Sequence, residues 1–119
     1  TVVLALALEA ETYKRWKFVF AELEPVADFV ILFGSILPSP NTAGDIDILT
    51  VAKETNLLKI NKLILAIQRT QEKKIHAHNF TSKELRQELQ KPNKVFLDAL
   101  RRGVVLFGQE KCIQFMRKL

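Results

Sequence analysis

Two aspartates separated by one residue are the side chains of this 119-residue chain best placed to do chemistry. Asp45 and Asp47 lie in the run Asp-Ile-Asp-Ile-Leu, whose alternation of polar and apolar residues predicts a strand over 45–51. Residues two apart share a face of a strand, so both carboxylates lie together while Ile46 and Ile48 face the core. Like charges side by side repel, and a divalent cation such as Mg²⁺ removes that penalty. The alternative is that Asp45 ends a turn and Asp47 is merely exposed.

A Gly-Ser pair precedes these aspartates. Gly34 and Ser35 follow the apolar run 29–33, which predicts a buried strand. Glycine lets the chain turn sharply and leaves room for a ligand, and the backbone N–H groups of such a turn, with the Ser35 hydroxyl, can donate to phosphate oxygens. Alone the pair is also a common turn. Because nine residues then lead to Asp45 and Asp47 on another strand, the combination predicts a platform for a metal ion and the phosphates of a nucleotide.

The elements around this platform predict an α/β or α+β fold, with a small mixed β-sheet flanked by helices. Strands are predicted over 29–33, 45–51, 73–80 and 104–107, and helices over 9–24, 53–71, 82–90, 94–102 and 110–119. The first helix carries a stripe expected to pack in the core, formed by Tyr13, Trp16, Phe20 and Leu23. The helix over 53–71 is expected to bury a broad face made of Leu57, Leu58, Ile60, Leu63, Ile64 and Ile67.

The composition and the first residues of the chain bear on its domain organisation, its cellular location and its class of partner. The chain begins at Thr1, so residues 1–25 are interpreted as a strand and helix that belong to the tail of an upstream domain, and 26–119 as the main domain. Segment 1–8 is apolar but too short to span a bilayer. One cysteine, Cys112, excludes an internal disulfide and favours the cytoplasm. The formal net charge of +5 favours a polyanionic partner, or is simply a solvated basic surface.

The central pattern resembles the DNA polymerase β-like nucleotidyltransferase superfamily. The motif of that superfamily is an apolar strand, Gly-Ser, a short loop, and then Asp-apolar-Asp/Glu-apolar, which is matched here by residues 32–35 and 45–48. The small size is similar to the minimal nucleotidyltransferase (MNT) branch, and 99–108, ALRRGVVLFG, resembles the closing segment of that branch. The resemblance covers about residues 26–112.

The resemblance implies a nucleotide-binding transferase. Gly34 and Ser35 would hold the triphosphate of a nucleoside triphosphate, and Asp45 and Asp47 would be the catalytic residues that bind Mg²⁺ or Mn²⁺. A nucleoside monophosphate would pass to a protein, RNA or small-molecule acceptor. In the related antitoxins the acceptor is a partner toxin or a tRNA, so these are the partners that the resemblance implies.

The match is incomplete in two places, which leaves enzymatic activity open. Active relatives carry a third acid on a later strand, whereas 73–80 has no Asp or Glu and offers His76 and His78, which suit zinc better than magnesium or are an ordinary strand face. The Arg that follows Gly-Ser in many relatives is replaced by Ile36. The alternative function is a catalytically weak or silent module that acts as an antitoxin or as a transcriptional regulator, with DNA contacts made by the upstream domain.

Overall fold

A four-stranded mixed sheet forms the centre of the computed structural model, which describes residues 13–119. Its strands are β1 (Phe29–Phe33), β2 (Asp45–Val51), β3 (Lys74–Phe80) and β4 (Val104–Phe107), in the spatial order β3-β2-β1-β4. Strand β1 is antiparallel to β2 and to β4, and β2 is parallel to β3. The predicted fold class, a small mixed sheet flanked by helices, is confirmed. The strand predicted over 1–8 lies outside the described residues.

Within residues 13–119, five α-helices flank the sheet: α1 (Lys14–Val19), α2 (Leu57–Gln68), α3 (Ser82–Leu89), α4 (Val95–Arg102) and α5 (Gln109–Arg117). Short 3₁₀ turns cover Ala21–Leu23, Gly34–Ile36 and Glu54–Asn56. Within the described part of the chain, none of these helices has both the length and the apolar character that crossing a membrane would require.

The first predicted helix, 9–24, is wrong beyond Val19, and its residues 9–12 lie outside the described part. The chain leaves the α-helix at Phe20 and tightens into a 3₁₀ turn, in which side chains at i and i+3 point the same way. Phe20 and Leu23 are both fully buried, so the tighter turn lets the two side chains face the sheet together. The core role predicted for this stripe is confirmed.

The two faces of the sheet bury separate apolar layers. Helices α1 and α2 cover one layer, whose buried members include Trp16, Phe20, Ile46, Ile48 and Ile60. Helices α3, α4 and α5 cover the other layer, whose buried members are Phe29, Ile31, Phe33, Leu49, Val51, Leu85, Ala99, Cys112 and Phe115. Strand β1 contributes to both layers and is buried along its whole length. The second layer lies on the face of the sheet that also carries Asp45 and Asp47.

The broad apolar face predicted for α2 is wrong at Leu58, which is 67% exposed. The buried positions of α2 are Ile60, Ile64 and Ile67, which follow one another by four and three residues along one side of the helix. Leu58 precedes Ile60 by two residues, a rotation of about 200° that turns its side chain away from the sheet.

Candidate functional site

The Gly-Ser turn folds back directly over Asp47. Strand pairing sets Phe33 opposite Asp47, and Gly34 follows with φ +81°, a left-handed conformation that favours glycine. A Cβ atom added to Gly34 would lie 3.2 Å from Cγ of Asp47 and closer still to one carboxylate oxygen. Glycine is therefore required at this position both by the backbone and by the space above the carboxylate. Ser35, the next residue of the same turn, is exposed.

The two carboxylates lie on the face of β2 predicted from the alternation. Ile46 and Ile48 are fully buried in the layer under α1 and α2, whereas Asp45 is exposed and Asp47 is half-buried on the opposite face. Burial raises the pKa of Asp47, and the negative charge of Asp45 raises it further, while His76 acts against both. The carboxylate thus lies where a bound cation would favour its ionised form.

The two histidines of β3 share this face but differ in their contacts. In the parallel pairing His76 lies opposite Asp47, and its Nε2 is 3.3 Å from Oδ1 of Asp45. The His78 ring lies between two phenylalanines, with centroids 5.1 Å from Phe96 and 6.1 Å from Phe33. Burial lowers the pKa of His78, the charge of Asp47 acts against that, and His76 adds to the lowering. The net effect of these groups is to favour the neutral form of the His78 ring.

A cleft of about 600 Å³ opens beside these groups. Its sheet side is formed by Phe33, Gly34, Asp47 and His78, and its other side by Leu37, Pro38, Val95, Asp98, Ala99, Arg102 and Gly103. Gly103 lets the end of α4 approach β1, because a Cβ atom there would lie 2.9 Å from the carbonyl oxygen of Leu32. Helix α4 is thereby held close enough to the sheet to form the second wall.

Asp98 and Arg102 are the functional candidates that the sequence reasoning missed. They lie four residues apart and so on one side of α4, and both line the cleft with Asp47. The sequence feature that could have indicated them is an Asp and an Arg four residues apart on the helix that ends at Gly103. Arg102 brings a guanidinium to a cleft whose Gly-Ser turn lacks the neighbouring arginine, and Asp98 brings a carboxylate that β3 does not supply.

The protein ligands fit a magnesium ion shared with a nucleotide. Among residues 13–119 no group of three or more His, Cys, Asp or Glu side chains is arranged to hold a metal ion. Asp45 and Asp47 would offer two carboxylates to an ion, and Mg²⁺ commonly binds through one or two carboxylates with substrate phosphates and water. The residues fit such a shared site and do not fit a metal centre built from protein ligands alone.

Five of the six predicted site residues lie at one end of the sheet, and His78 lies further along β3, opposite Leu49. The turn after β1 carries Gly34 and Ser35, the start of β2 carries Asp45 and Asp47, and the neighbouring part of β3 carries His76 and His78. Parallel pairing of β2 with β3 brings the histidines beside the aspartates. The turn after β1 meets them because β1 runs antiparallel to β2 and ends where β2 begins.

Chains from solved toxin–antitoxin structures have a fold similar to that of this chain. No family model and no curated protein sequence matches the chain. A chain from a mutant of the toxin–antitoxin MntA-HepT matches with a TM-score of 0.56 at 16% identity, over 88% of this chain and 80% of that one. A chain from a toxin–antitoxin structure with AMP-PNP matches with a TM-score of 0.56 at 18% identity, over 84% of this chain and 77% of that one. At such identities the likeness shows the fold alone, and the chain has the nucleotidyltransferase-like fold of these toxin–antitoxin chains.

Proposed function

We propose that the chain binds a nucleoside triphosphate with Mg²⁺ or Mn²⁺ and transfers its nucleoside monophosphate to a protein, RNA or small-molecule acceptor. The observation that carries this proposal is the Gly34 turn closing over Asp47, next to Asp45, at the mouth of the 600 Å³ cleft. Paired carboxylates beside an N–H-rich turn suit a metal-bound triphosphate. The cleft supplies room for the rest of the nucleotide.

In this proposal each residue has a separate task. Asp45 and Asp47 hold the ion, which when bound neutralises phosphate charge and helps to orient the reacting oxygens. The backbone and hydroxyl of Gly34-Ser35 donate to phosphate oxygens, and Arg102 takes the part of the arginine missing after the Gly-Ser pair.

The reaction itself exchanges one phosphorus–oxygen bond for another. The acceptor hydroxyl oxygen bonds to the α-phosphorus, the bond from that phosphorus to the bridging oxygen breaks, and pyrophosphate leaves. The neutral His78 ring, which lines the cleft with Asp47, can take the proton of the acceptor hydroxyl.

The residues of β3 support a second function, in which the chain is a catalytically weak or silent module. The position opposite Asp47 carries His76, whose nearest charged partner is Asp45, and no acid stands on that strand. Such a module would still bind a partner protein as an antitoxin, or act as a regulator. The toxin–antitoxin structures that share the fold make a protein partner the first to look for.

A transfer assay separates the two functions. The protein is incubated with each labelled nucleoside triphosphate, Mg²⁺ or Mn²⁺, and protein or RNA acceptors. We expect label to reach an acceptor, and the Asp45→Asn/Asp47→Asn variant to lose that transfer. The Glu54→Gln/Glu110→Gln variant removes the same charge from exposed positions outside the cleft and should keep it. Nucleotide binding without transfer to any acceptor would favour the silent module.

A further inference from the structure

A second cleft lies at the opposite end of the same face of the sheet. It measures about 300 Å³, and its lining includes Asp28, Lys53, Ser82, Arg86, Lys111 and Lys118. Lys53 follows the end of β2, six residues beyond Asp47, which is about 20 Å along an extended strand. A ligand of one or two phosphates at the aspartates therefore cannot also fill this cleft.

Three separate elements bring the four basic side chains to this cleft. Lys53 follows β2, Arg86 lies on α3, and Lys111 and Lys118 stand seven residues apart on the same side of α5 and its end. Helix α3 begins here at Ser82, with Thr81 accepting from the N–H of Glu84 and Glu84 accepting from the N–H of Thr81. That capping box fixes the start of α3, and hence the position of Arg86.

The charges that line the cleft are strongly unbalanced. Four cationic side chains and one carboxylate line it among the described residues. The carboxylate, Asp28, lies 3.6 Å from Nζ of Lys111, so it offsets one cation and leaves an excess of positive charge. The guanidinium of Arg86 lies 5.2 Å above the Phe115 ring, which holds its planar fork in place while its N–H groups stay available.

From this geometry we infer that the cleft is a second phosphate-binding site, separate from the nucleotide site. A stacked arginine surrounded by lysines, with a serine hydroxyl at a helix start, matches the tetrahedral oxygens of a phosphate group. The phosphate belongs either to a free or mononucleotide phosphate or to the backbone of an RNA chain. The site goes beyond the proposed transfer reaction and does not depend on it.

Binding of inorganic phosphate, with EDTA present and no nucleotide, tests the site directly. Amide chemical shifts are followed by NMR while phosphate is added to the wild-type chain and to the Lys53→Gln/Lys111→Gln variant. We expect the signals of Ser82 and Arg86 to move in the wild type, and the affinity to fall at least tenfold in the variant. Both lysines are exposed, so the substitutions leave the core intact.

The matched control removes the same charge from the opposite face of the sheet. Lys59→Gln/Lys62→Gln alters two exposed lysines of α2 and should change phosphate affinity less than twofold. Equal affinities in the wild type and the Lys53→Gln/Lys111→Gln variant, or an equal loss in the control, would overturn the site. EDTA removes the divalent ions, so failure here says nothing against nucleotide transfer.

An RNA oligonucleotide identifies the source of the phosphate. If the RNA backbone is the ligand, the Lys53→Gln/Lys111→Gln variant should bind RNA at least tenfold more weakly and with a shallower dependence on salt. If free or mononucleotide phosphate is the ligand, RNA affinity should match that of the Lys59→Gln/Lys62→Gln control, while phosphate affinity falls as expected.

Discussion

The two ends of one sheet face carry opposite charge. At the start of β2, Asp45 and Asp47 lie beside the Gly34 turn, and at the end of β2, Lys53 joins Arg86 and the lysines of α5. Between them the same face is apolar and buried, with Leu49 and Val51 fully inaccessible. The charged side chains that β2 and the residues just after it contribute to this face therefore stand only at its two ends, where water reaches them.

The charged side chains at the two ends also differ in how far they are buried. At the acidic end, burial and like charge raise the pKa of Asp47, so the ionised carboxylate is disfavoured until a cation arrives. At the basic end, Lys53, Lys111 and Lys118 are exposed to water. Of the four cations that line this cleft, Arg86 alone is partly buried, and it stacks on Phe115. A cation bound at the acidic end would therefore offset the cost of ionising Asp47, whereas the lysines of the basic end are already surrounded by water.

The largest expected effect comes from a substitution in the turn at the acidic end. Gly34→Ala should lower the free energy of unfolding by about 3 kcal/mol, because alanine is disfavoured at φ +81° and its Cβ would collide with Asp47. Unfolding in urea measures the change. Gly44→Ala is the matched control, since nothing lies within 4 Å of a Cβ atom there, and it should shift stability by no more than about 0.5 kcal/mol. Equal effects of the two substitutions would contradict the close approach of Gly34 to Asp47.

Neutralising one carboxylate at each end should have opposite consequences. Asp47→Asn should weaken binding of a nucleoside triphosphate with Mn²⁺ at least tenfold, because it removes one of the two proposed ligands of the ion. Asp28→Asn should instead tighten phosphate binding roughly threefold, because it removes the one carboxylate that lines the basic cleft among the described residues. Calorimetric titrations measure both. A loss of phosphate affinity in Asp28→Asn would show that this carboxylate positions Lys111 and does not merely offset its charge.

The smallest effect concerns the proton affinity of His78. Its pKa lies below the ordinary 6.5, chiefly through burial, and the negative charge of Asp47 holds it up. Asp47→Asn removes that charge, so the pKa of His78 should fall further. An NMR titration of the ring in EDTA measures it, and an unchanged or raised midpoint would contradict the electrostatic coupling.

The same shift has a definite sign for stability. Because the folded pKa of His78 is below the unfolded value, the unfolded chain binds the proton first, and stability declines as the pH falls from 6.5 through the folded pKa. In Asp47→Asn this decline should continue to lower pH. Thermal unfolding across that range, in EDTA, checks the direction.

The strands were the part of the fold most accessible to sequence reasoning. The bounds of β1, β2 and β4 are those predicted, and β3 begins one residue later, because continuous or alternating apolar runs determine which faces a strand can bury. The first helix and Leu58 of α2 were mispredicted for a shared reason. Tertiary packing decides how far a helix extends and how wide its buried face is, and local periodicity does not contain that information.

The site residues also fall into a group that the sequence predicts and a group that depends on tertiary packing. Gly34, Asp45 and Asp47 are close in sequence, and strand alternation with a tight turn sufficed to place them together. The second wall of the cleft depends on α4 crossing β1, which the spacing of residues cannot reveal. The basic cleft escaped notice because its cations come from elements far apart in the chain, with no run of like charges to mark them.

The most direct test is a crystal structure with a non-hydrolysable nucleoside triphosphate and Mn²⁺, whose anomalous signal identifies the ion. We expect an ion bound by Asp45 and Asp47, with the phosphates against Gly34-Ser35 and the nucleoside in the cleft beside Arg102. Empty density at these aspartates with saturating nucleotide, or a nucleotide bound elsewhere, would contradict it.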